Sequence, residues 1–600
     1  MSELETFLAT VPIFRELTAE QIGQVAPICT QERYAAGSNI LTQGGYSEAL
    51  FFLRSGRLAV RVRKGDRRET VAHLQPPAVF GELSFITGRA CSADVEVVVD
   101  AEVTVLSKAA MAKVETLRDK IVHGMMNVVA ERLHDTVTKG AEAPESPVVV
   151  LKNLPHWEAP VSFAAELGRS LARQSGAEAL VVNLSDAPAS DIRPISEHAF
   201  TCSLQVRATD DSLRANTAQQ LTVWKKRFTI VILNPTGEHA AAMSERIDAF
   251  ADSIGTLAGP GDDPGVETGA VTGAGKFILQ SAVQPAPMTL AGNQQLIRQA
   301  AEAEEAFRTG VPAPKKFLRT VDSIARSILN LQVGIALGGG AAWGWAHIGM
   351  LEQLDNAALP IDVVSGCSMG SVVGALYCSG LLVPELLEIA DYWRTRTRRF
   401  VEWRLWRMCL ISEKAARKVF ATYFSERTLH EMEIPYWANA VDIKTGHEFT
   451  IDCGTIVDCI RASIALPGLL PPFECGNHLL VDAGIMDPVP VNLVRRMGAR
   501  YVVAVNAMAA LEGQPISKRF PMVDIMMRCT RIMGHEIGQA RAEESANVVV
   551  TPTLGSISML EFAKSSEIIE CGRRAAAANL PAILAGYERL KGRQVVPQPS

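Results

Sequence analysis

No stretch of this 600-residue chain reaches the roughly 18 consecutive apolar residues that a membrane-spanning helix needs. Any contact with a membrane is therefore expected to be peripheral. Met1 to Glu20 carries early acids and no long apolar core, so it does not read as a secretory leader. Basic excess is also missing. The chain has 59 Lys and Arg against 65 Asp and Glu, a formal charge of −6, where a dedicated nucleic-acid binder would be strongly positive. The 11 cysteines show neither the paired spacing of a zinc site nor the density of a disulfide scaffold, and they read as reduced thiols. These absences lead to the expectation of a cytoplasmic protein with no metal site and no nucleic-acid partner, lying at most peripherally on the inner membrane surface.

The length exceeds what one hydrophobic core serves, and roughly three or four domains are expected. Small, polar, Pro-bearing or Gly-rich stretches mark the joints: Lys139–Pro147, Ser253–Gly275 and Thr309–Lys316. They divide the chain into units over residues 1–140, 148–310 and 331–590, and no internal repeat is visible. The first unit opens on short helical patterns. It continues as β-like runs punctuated by Gly37, Gly44, Gly45, Gly56 and Gly65, of which Ala49–Arg63 reads as a hairpin. A long helical pattern follows from Lys108 to about Thr138, which predicts a small β-barrel with helical flanks. In the second unit, the apolar runs Val148–Leu151, Ala179–Leu184 and Phe228–Leu233 alternate with helical patterns at Phe163–Gln174 and Ser244–Asp252. This predicts an α/β domain with a parallel sheet. The turn Asn153–Trp157 has neither a Gly-rich loop nor Gly-Lys-Ser/Thr, which excludes a nucleotide site of the P-loop type and leaves a structural or regulatory role.

Three features of the third unit carry chemistry. First, a short apolar strand from Val333 runs into Gly338-Gly339-Gly340, and a helical pattern begins near Gly344. Bare N–H groups in such a turn, beside a helix start, are suited to holding a developing oxyanion. A dinucleotide-binding turn competes with this reading, but Trp343 stands where its last glycine belongs. A turn that serves only packing is the other alternative. Second, the strand-like Ile361–Ser365 leads into Gly366-Cys367-Ser368-Met369-Gly370 and then a small-residue helix. This is the strand–turn–helix context in which Gly-x-Ser-x-Gly presents a nucleophile. Cys367 is the rival nucleophile; it would point away from Ser368 and is read as a packing residue. Third, the strand-like His478–Asp482 ends at a tight turn, where Asp482 either meets a serine from another strand end or caps its own turn.

In this order the three features resemble patatin-like phospholipases, specifically the bacterial relatives of neuropathy target esterase, which join a cyclic-nucleotide-binding domain to a patatin domain. Ala462–Gly468 and Pro471-Pro472-Phe473 also fit the family pattern. The resemblance implies a Ser368–Asp482 dyad without a third member. The N–H groups of Gly339, Gly340 and Ala341 would hold the oxyanion, and His347 would have a structural role. It further implies a phospholipid or lysophospholipid substrate and no cofactor. Two departures stand in the glycine turn: Ala341 replaces a fourth glycine, and Trp343 replaces an arginine that braces the loop or holds an anionic head group. Ala483 replaces the commoner glycine after Asp482.

The first unit resembles the cyclic-nucleotide-binding domain. Gly81-Glu82-Leu83 matches the start of that family's phosphate-binding cassette, which implies backbone N–H contacts to the phosphate and a ribose contact from Glu82. The family's phosphate-binding arginine is replaced by Cys91. The nearest arginine, Arg89, stands two residues early, and Asp94 adds negative charge. Two readings stay open here: a weakened site for a cyclic nucleotide effector, or a degenerate sensor fold kept as an interaction module. Arg394–Arg407 interleaves six arginines with Phe400, Trp403 and Trp406, a pattern suited to an anionic lipid surface or to a solvated helix with a buried aromatic stripe. The reading as a whole is a multidomain α/β protein, a serine acyl hydrolase with an N-terminal sensor. Its rival is a non-catalytic, cyclic-nucleotide-responsive scaffold that binds lipid.

Overall fold

A computed structural model describes residues 2–128, 147–257, 300–400, 413–508 and 521–594, apart from 16, 36, 65–66, 75, 119, 127, 154–160, 186, 207–212, 238, 248–249, 252 and 468–469. The expected joint at Lys139–Pro147 lies outside the described residues except for Pro147. The arginine-rich Arg394–Arg407 lies outside them from residue 401 on.

The N-terminal unit is a rolled antiparallel sheet. Its strands are β1 (Thr30–Tyr34), β2 (Asn39–Leu41), β3 (Ala49–Lys64), β4 (Arg67–Leu74), β5 (Ala78–Phe80) and β6 (Asp94–Ser107). Alternate side chains serve two cores. Leu53, Leu58, Val97 and Val103 fill the inside of the roll, while Leu50, Phe52 and Leu106 pack on the flanking helices. Ala49–Arg63 is not a hairpin. It is one strand that pairs with β6 along its length and bends at Gly56, whose φ of 94° only glycine takes readily. The helix expected from Lys108 is likewise interrupted: Lys108–Met111 gives way to a 3-10 turn with non-helical backbone at Val114.

The middle unit is doubly wound. The strands β7 (Val148–Asn153), β8 (Ala179–Ser185), β9 (Ser190–Pro194), β10 (Ala199–Gln205), β11 (Ile230–Pro235) and β12 (Ser253–Leu257) lie in the order β12-β7-β11-β8-β10-β9, and only β9 is antiparallel. Val149 and Leu151 face the helix Val161–Ser175. Val148 and Val150 face the opposite side, with Leu221, Trp224 and Met243. Two expectations are corrected. Ser253–Leu257 is an edge strand rather than the start of a loop, and the helix expected at Ser244–Asp252 runs over Ala240–Ile247. The helix Lys315–Ile328 packs Phe317, Val321 and Ile324 on the same core. Its Arg326 then makes a buried bidentate ion pair with Asp362, which also accepts the Val333 N–H at 2.9 Å. That pair ties the middle unit to the sheet that follows. At the other end, Arg57 of β3 donates to the Phe250 carbonyl oxygen.

The C-terminal unit is a mixed sheet of β13 (Val333–Leu337), β14 (Val363–Gly366), β15 (Tyr436–Asp442), β16 (His447–Ile451), β17 (Phe473–Cys475), β18 (His478–Asp482), β19 (Tyr501–Val505) and β20 (Val548–Val550). Its order is β17-β18-β15-β14-β13-β19-β20, with β16 also on β15. The central strands β13, β14, β15 and β19 are parallel and read as continuous buried runs, as a sheet covered on both faces requires. Long helices cover it. Gly349 and Gly572 let Ala346–Asn356 and Ser565–Gln594 touch backbone to backbone, since a Cβ at either would lie 2.2 or 2.0 Å from a carbonyl oxygen.

Candidate active site

Strand register brings Ser368 and Asp482 together. β16 occupies one edge of β15 from Ala438 to Asp442. On the other edge, β14 runs parallel and ends with Gly366 opposite Ala438, while β18 runs antiparallel and ends with Asp482 opposite Ala440. The C-terminal ends of β14 and β18 therefore meet along one edge. Two residues past Gly366 the chain reaches Ser368, level with Asp482.

The turn at Ser368 is sterically severe. Its φ of 51° and ψ of −122° lie outside the usual regions for an L-residue, a strain of about 1–3 kcal/mol that recurs at nucleophile turns. Both flanking glycines are required. A Cβ on Gly366 would lie 2.6 Å from the Gly370 carbonyl oxygen, and one on Gly370 would lie 2.2 Å from that of Leu337. The backbone is pinned as well: the Ser368 N–H donates to Ser463 Oγ at 3.0 Å, and Ser371 Oγ donates to the Ser368 carbonyl oxygen at 2.6 Å.

Asp482 is 2% exposed. Burial pushes its carboxyl up to about 6, opposed by hydrogen bonds from Ser368, the Gly484 N–H and Cys367, all of which favour the ionised form. A carboxylate at that value is poised as a general base near neutral pH. Cys367 Sγ lies 3.8 Å from Asp482 Oδ1, packed among Val441, Val481 and Ala483. Burial and the Asp482 charge hold its thiol well above the ordinary range, so it stays protonated and unreactive. His347 is fully buried, and its Nε2 hydrogen-bonds the Gly338 carbonyl oxygen at 2.7 Å. Burial lowers its imidazole to about 4, which keeps it neutral, a brace for the glycine turn.

Gly340, Ala341, Ser368 and Asp482 line one pocket. Of the three residues expected to hold an oxyanion, Gly340 and Ala341 line the pocket, whereas the Gly339 N–H is engaged by the Pro488 carbonyl oxygen at 2.9 Å. Ala341 adopts a φ of 48°, a left-handed conformation that costs an alanine about 1–2 kcal/mol. Leu466, Met508 and Met559 give the pocket an apolar wall, and Thr530 and Arg531 approach from the helix Pro521–Ser545. Met508, Thr530, Arg531 and Met559 stand in no local sequence motif that points to a site. The Arg531 guanidinium lies 4.5 Å from the centre of the Trp343 ring, and the Trp343 Nε1–H donates to the Ile557 carbonyl oxygen at 3.0 Å. Among the described residues no cluster of His, Cys, Asp or Glu is arranged to hold a metal ion.

In the N-terminal unit, Gly81 (φ 84°) opens the short helix Glu82–Thr87. Glu82 is buried, while Leu83 and Arg89 are exposed. Cys91 packs into the inner apolar cluster, and buried Asp94 accepts the Gln43 N–H at 2.8 Å.

Comparison with known proteins agrees with both halves of this picture. Residues 335–495 match the patatin-like phospholipase family and residues 31–115 the cyclic nucleotide-binding domain family. The chain thus carries a patatin-like phospholipase domain behind an N-terminal cyclic nucleotide-binding domain. Among curated proteins, Lysophospholipase NTE1 of Debaryomyces hansenii is 27% identical over 44% of this chain and 19% of its own length. Lysophospholipase NTE1 of Cryptococcus neoformans is 34% identical over 30% of this chain and 12% of its own. Neuropathy target esterase sws of Drosophila melanogaster is 30% identical over 30% of this chain and 13% of its own. The chain thus spans a fifth or less of the length of these relatives. A solved cyclic nucleotide-binding domain from Methylobacillus flagellatus is similar over 23% of this chain and 80% of that one, at 19% identity and a TM-score of 0.22.

Proposed function

We propose that the protein is a serine acyl hydrolase of the phospholipase or lysophospholipase type. The carrying observation is the convergence of a strained, half-buried Ser368 and a buried, hydrogen-bonded Asp482 in one pocket. Ser368 Oγ attacks the acyl carbonyl carbon as its proton passes to Asp482. The N–H groups of Gly340 and Ala341 hold the oxyanion of the tetrahedral intermediate. Collapse breaks the ester bond, and Asp482 returns the proton to the departing alkoxide. Water then attacks the acyl-serine with Asp482 again as base, and the fatty acid leaves. The lysophospholipase relatives favour a lipid ester over a small soluble one, and the apolar wall of Leu466, Met508 and Met559 suits an acyl chain.

The N-terminal domain acts as a sensor in this proposal. A cyclic nucleotide is its candidate effector, and Cys91 and Asp94 set the site against tight phosphate binding. Contact with a membrane is peripheral; no described helix is long and apolar enough to cross one.

The test is hydrolysis of a short-chain p-nitrophenyl ester and of a lysophospholipid by the wild type, Ser368→Ala and Asp482→Asn. Turnover by the wild type that is lost in both variants is expected. An inactive wild type, or activity surviving in Ser368→Ala, overturns the proposal and favours a lipid-binding scaffold.

A further inference from the structure

Asp487 is a buried carboxyl that the hydrolytic cycle does not use. It lies five residues past Asp482, at the far end of the turn that the base opens. Its N–H donates to the Ala483 carbonyl oxygen at 2.8 Å and closes that turn, while the Gly484 N–H inside it donates to Asp482 Oδ1 at 2.8 Å. The next residue, Pro488, presents the carbonyl oxygen that accepts the Gly339 N–H at 2.9 Å. Two residues further on, the Pro490 carbonyl oxygen accepts a hydrogen bond from Ser365 Oγ of β14 at 2.7 Å. One short stretch of chain thus has the base at its head, the glycine turn bonded to its middle, and the strand that delivers Ser368 bonded to its end. A shift at Asp487 would move the base and the glycine turn at once.

Three elements converge on Asp487. From β15, Asn439 Nδ2 donates to the Asp487 carbonyl oxygen at 2.8 Å and lies 3.4 Å from its Oδ2. Asn439 is itself fully buried, beside Ala440, the register partner of Asp482. From the helix Pro521–Ser545, Arg541 Nη1 lies 3.4 Å from Asp487 Oδ1. From β16, the Glu448 carboxyl hydrogen-bonds that of Asp487 and lies 3.8 Å from Arg541. Burial and then the Glu448 charge raise the Asp487 carboxyl, and Arg541 opposes them. The helix rests on the same stretch of chain with little room to spare. A Cβ on Gly534 would lie 3.0 Å from the Gly484 carbonyl oxygen, and one on Gly538 would lie 2.9 Å from Pro488 Cγ. Arg541 therefore fastens to Asp487 the helix that brings Thr530 and Arg531 to the pocket.

We propose that Asp487, held by Asn439, Glu448 and Arg541, is a positioning residue for the acyl transfer: it fixes Asp482–Pro488 so that the base and the glycine turn keep their places relative to Ser368. This rests on the acyl-hydrolase reading. Asp487 is not among the residues that line the pocket, so its loss is felt in kcat rather than in KM. Misplacing reacting groups by about 1 Å costs up to about a hundredfold in rate.

The test measures kcat and KM on a lysophospholipid for the wild type, Asp487→Ala, Asp487→Asn and Arg541→Met. Turnover is expressed per serine labelled to completion by a fluorophosphonate, and folding is checked by thermal midpoint. Asp487→Ala should lower kcat about tenfold or more, with KM within about twofold of the wild type. Asp487→Asn should recover most of that loss, because its amide oxygen can accept from Asn439 and Arg541 and its NH2 can donate to Glu448. Arg541→Met changes a half-exposed side chain and decides the matter if the alanine variant does not fold; its kcat should fall about threefold or more at unchanged KM. A kcat within about twofold of the wild type in folded Asp487→Ala, or in Arg541→Met where the alanine variant does not fold, overturns the role of Asp487 and leaves the hydrolase reading intact. A loss confined to the thermal midpoint or to KM also overturns it, as does a loss in Asp487→Asn equal to that in Asp487→Ala. A wild type that neither cleaves the lysophospholipid nor takes the label refutes the hydrolase reading, and this inference with it.

Discussion

Replacing Asp482 with asparagine should cut turnover steeply and at the same time stabilise the fold. Burial raises the carboxyl from its ordinary 3.8 to about 6, so at neutral pH the native state holds a charge it would be more stable without. About two pH units at 1.36 kcal/mol each give a cost of about 3 kcal/mol. Asparagine keeps an oxygen for the Gly484 N–H and removes the charge. The sign follows from the raised value. The penalty is absent below the unfolded value near 4, grows between about 4 and 6, and is fully present above 6. At about 2–4 °C per kcal/mol for a domain of this size, the thermal midpoint of the Asp482→Asn protein should rise by up to ~6–12 °C at pH 8. The gap should shrink to about half near pH 5. Scanning calorimetry at the two pH values, alongside ester hydrolysis, reads both effects, and hydrolysis should fall by ~10²–10⁴-fold. A variant no more stable than the wild type at pH 8, or a gap that does not narrow on acidification, would refute the claim that Asp482 is a base whose charge is disfavoured by burial.

Three further outcomes follow from the same geometry. The kcat/KM of the wild type should be flat above about pH 6 and fall tenfold per unit below it as Asp482 takes up its proton, whereas a plateau reaching pH 4.5 would mark an ordinary exposed carboxylate. Gly370→Ala forces a Cβ to within 2.2 Å of the Leu337 carbonyl oxygen, so the helix must shift; a cost of about 1–3 kcal/mol and a large loss of hydrolysis are expected, read by thermal midpoint and initial rate. Arg326→Met leaves Asp362 buried without its partner and should destabilise by ~3–5 kcal/mol, while the double variant Arg326→Met with Asp362→Leu should recover much of that in the same thermal measurement.

How much of this was legible in the sequence depended on how local the physics was. The elbow around Ser368 could be read because its demands fall on five consecutive residues: Gly366 and Gly370 have no room for a side chain, and the strand and helix that flank them have clear patterns. The middle sheet showed itself in three buried apolar runs. β12 escaped because an edge strand tolerates the Ser and Gly that made Ser253–Leu257 look like loop. Ala49–Arg63 looked like a hairpin because a bent strand and a hairpin share one alternation; only pairing with β6 distinguishes them. The engagement of the Gly339 N–H by Pro488, and the placement of Arg531 on Trp343, join residues distant in the chain, and no local pattern encodes them.

The most direct measurement of the central claim is labelling of the intact protein with a fluorophosphonate, followed by peptide mass spectrometry. The account predicts one modified peptide carrying the adduct on Ser368, absent in Ser368→Ala and formed much more slowly in Asp482→Asn. An unlabelled wild type, or an adduct that persists in Ser368→Ala, would contradict it.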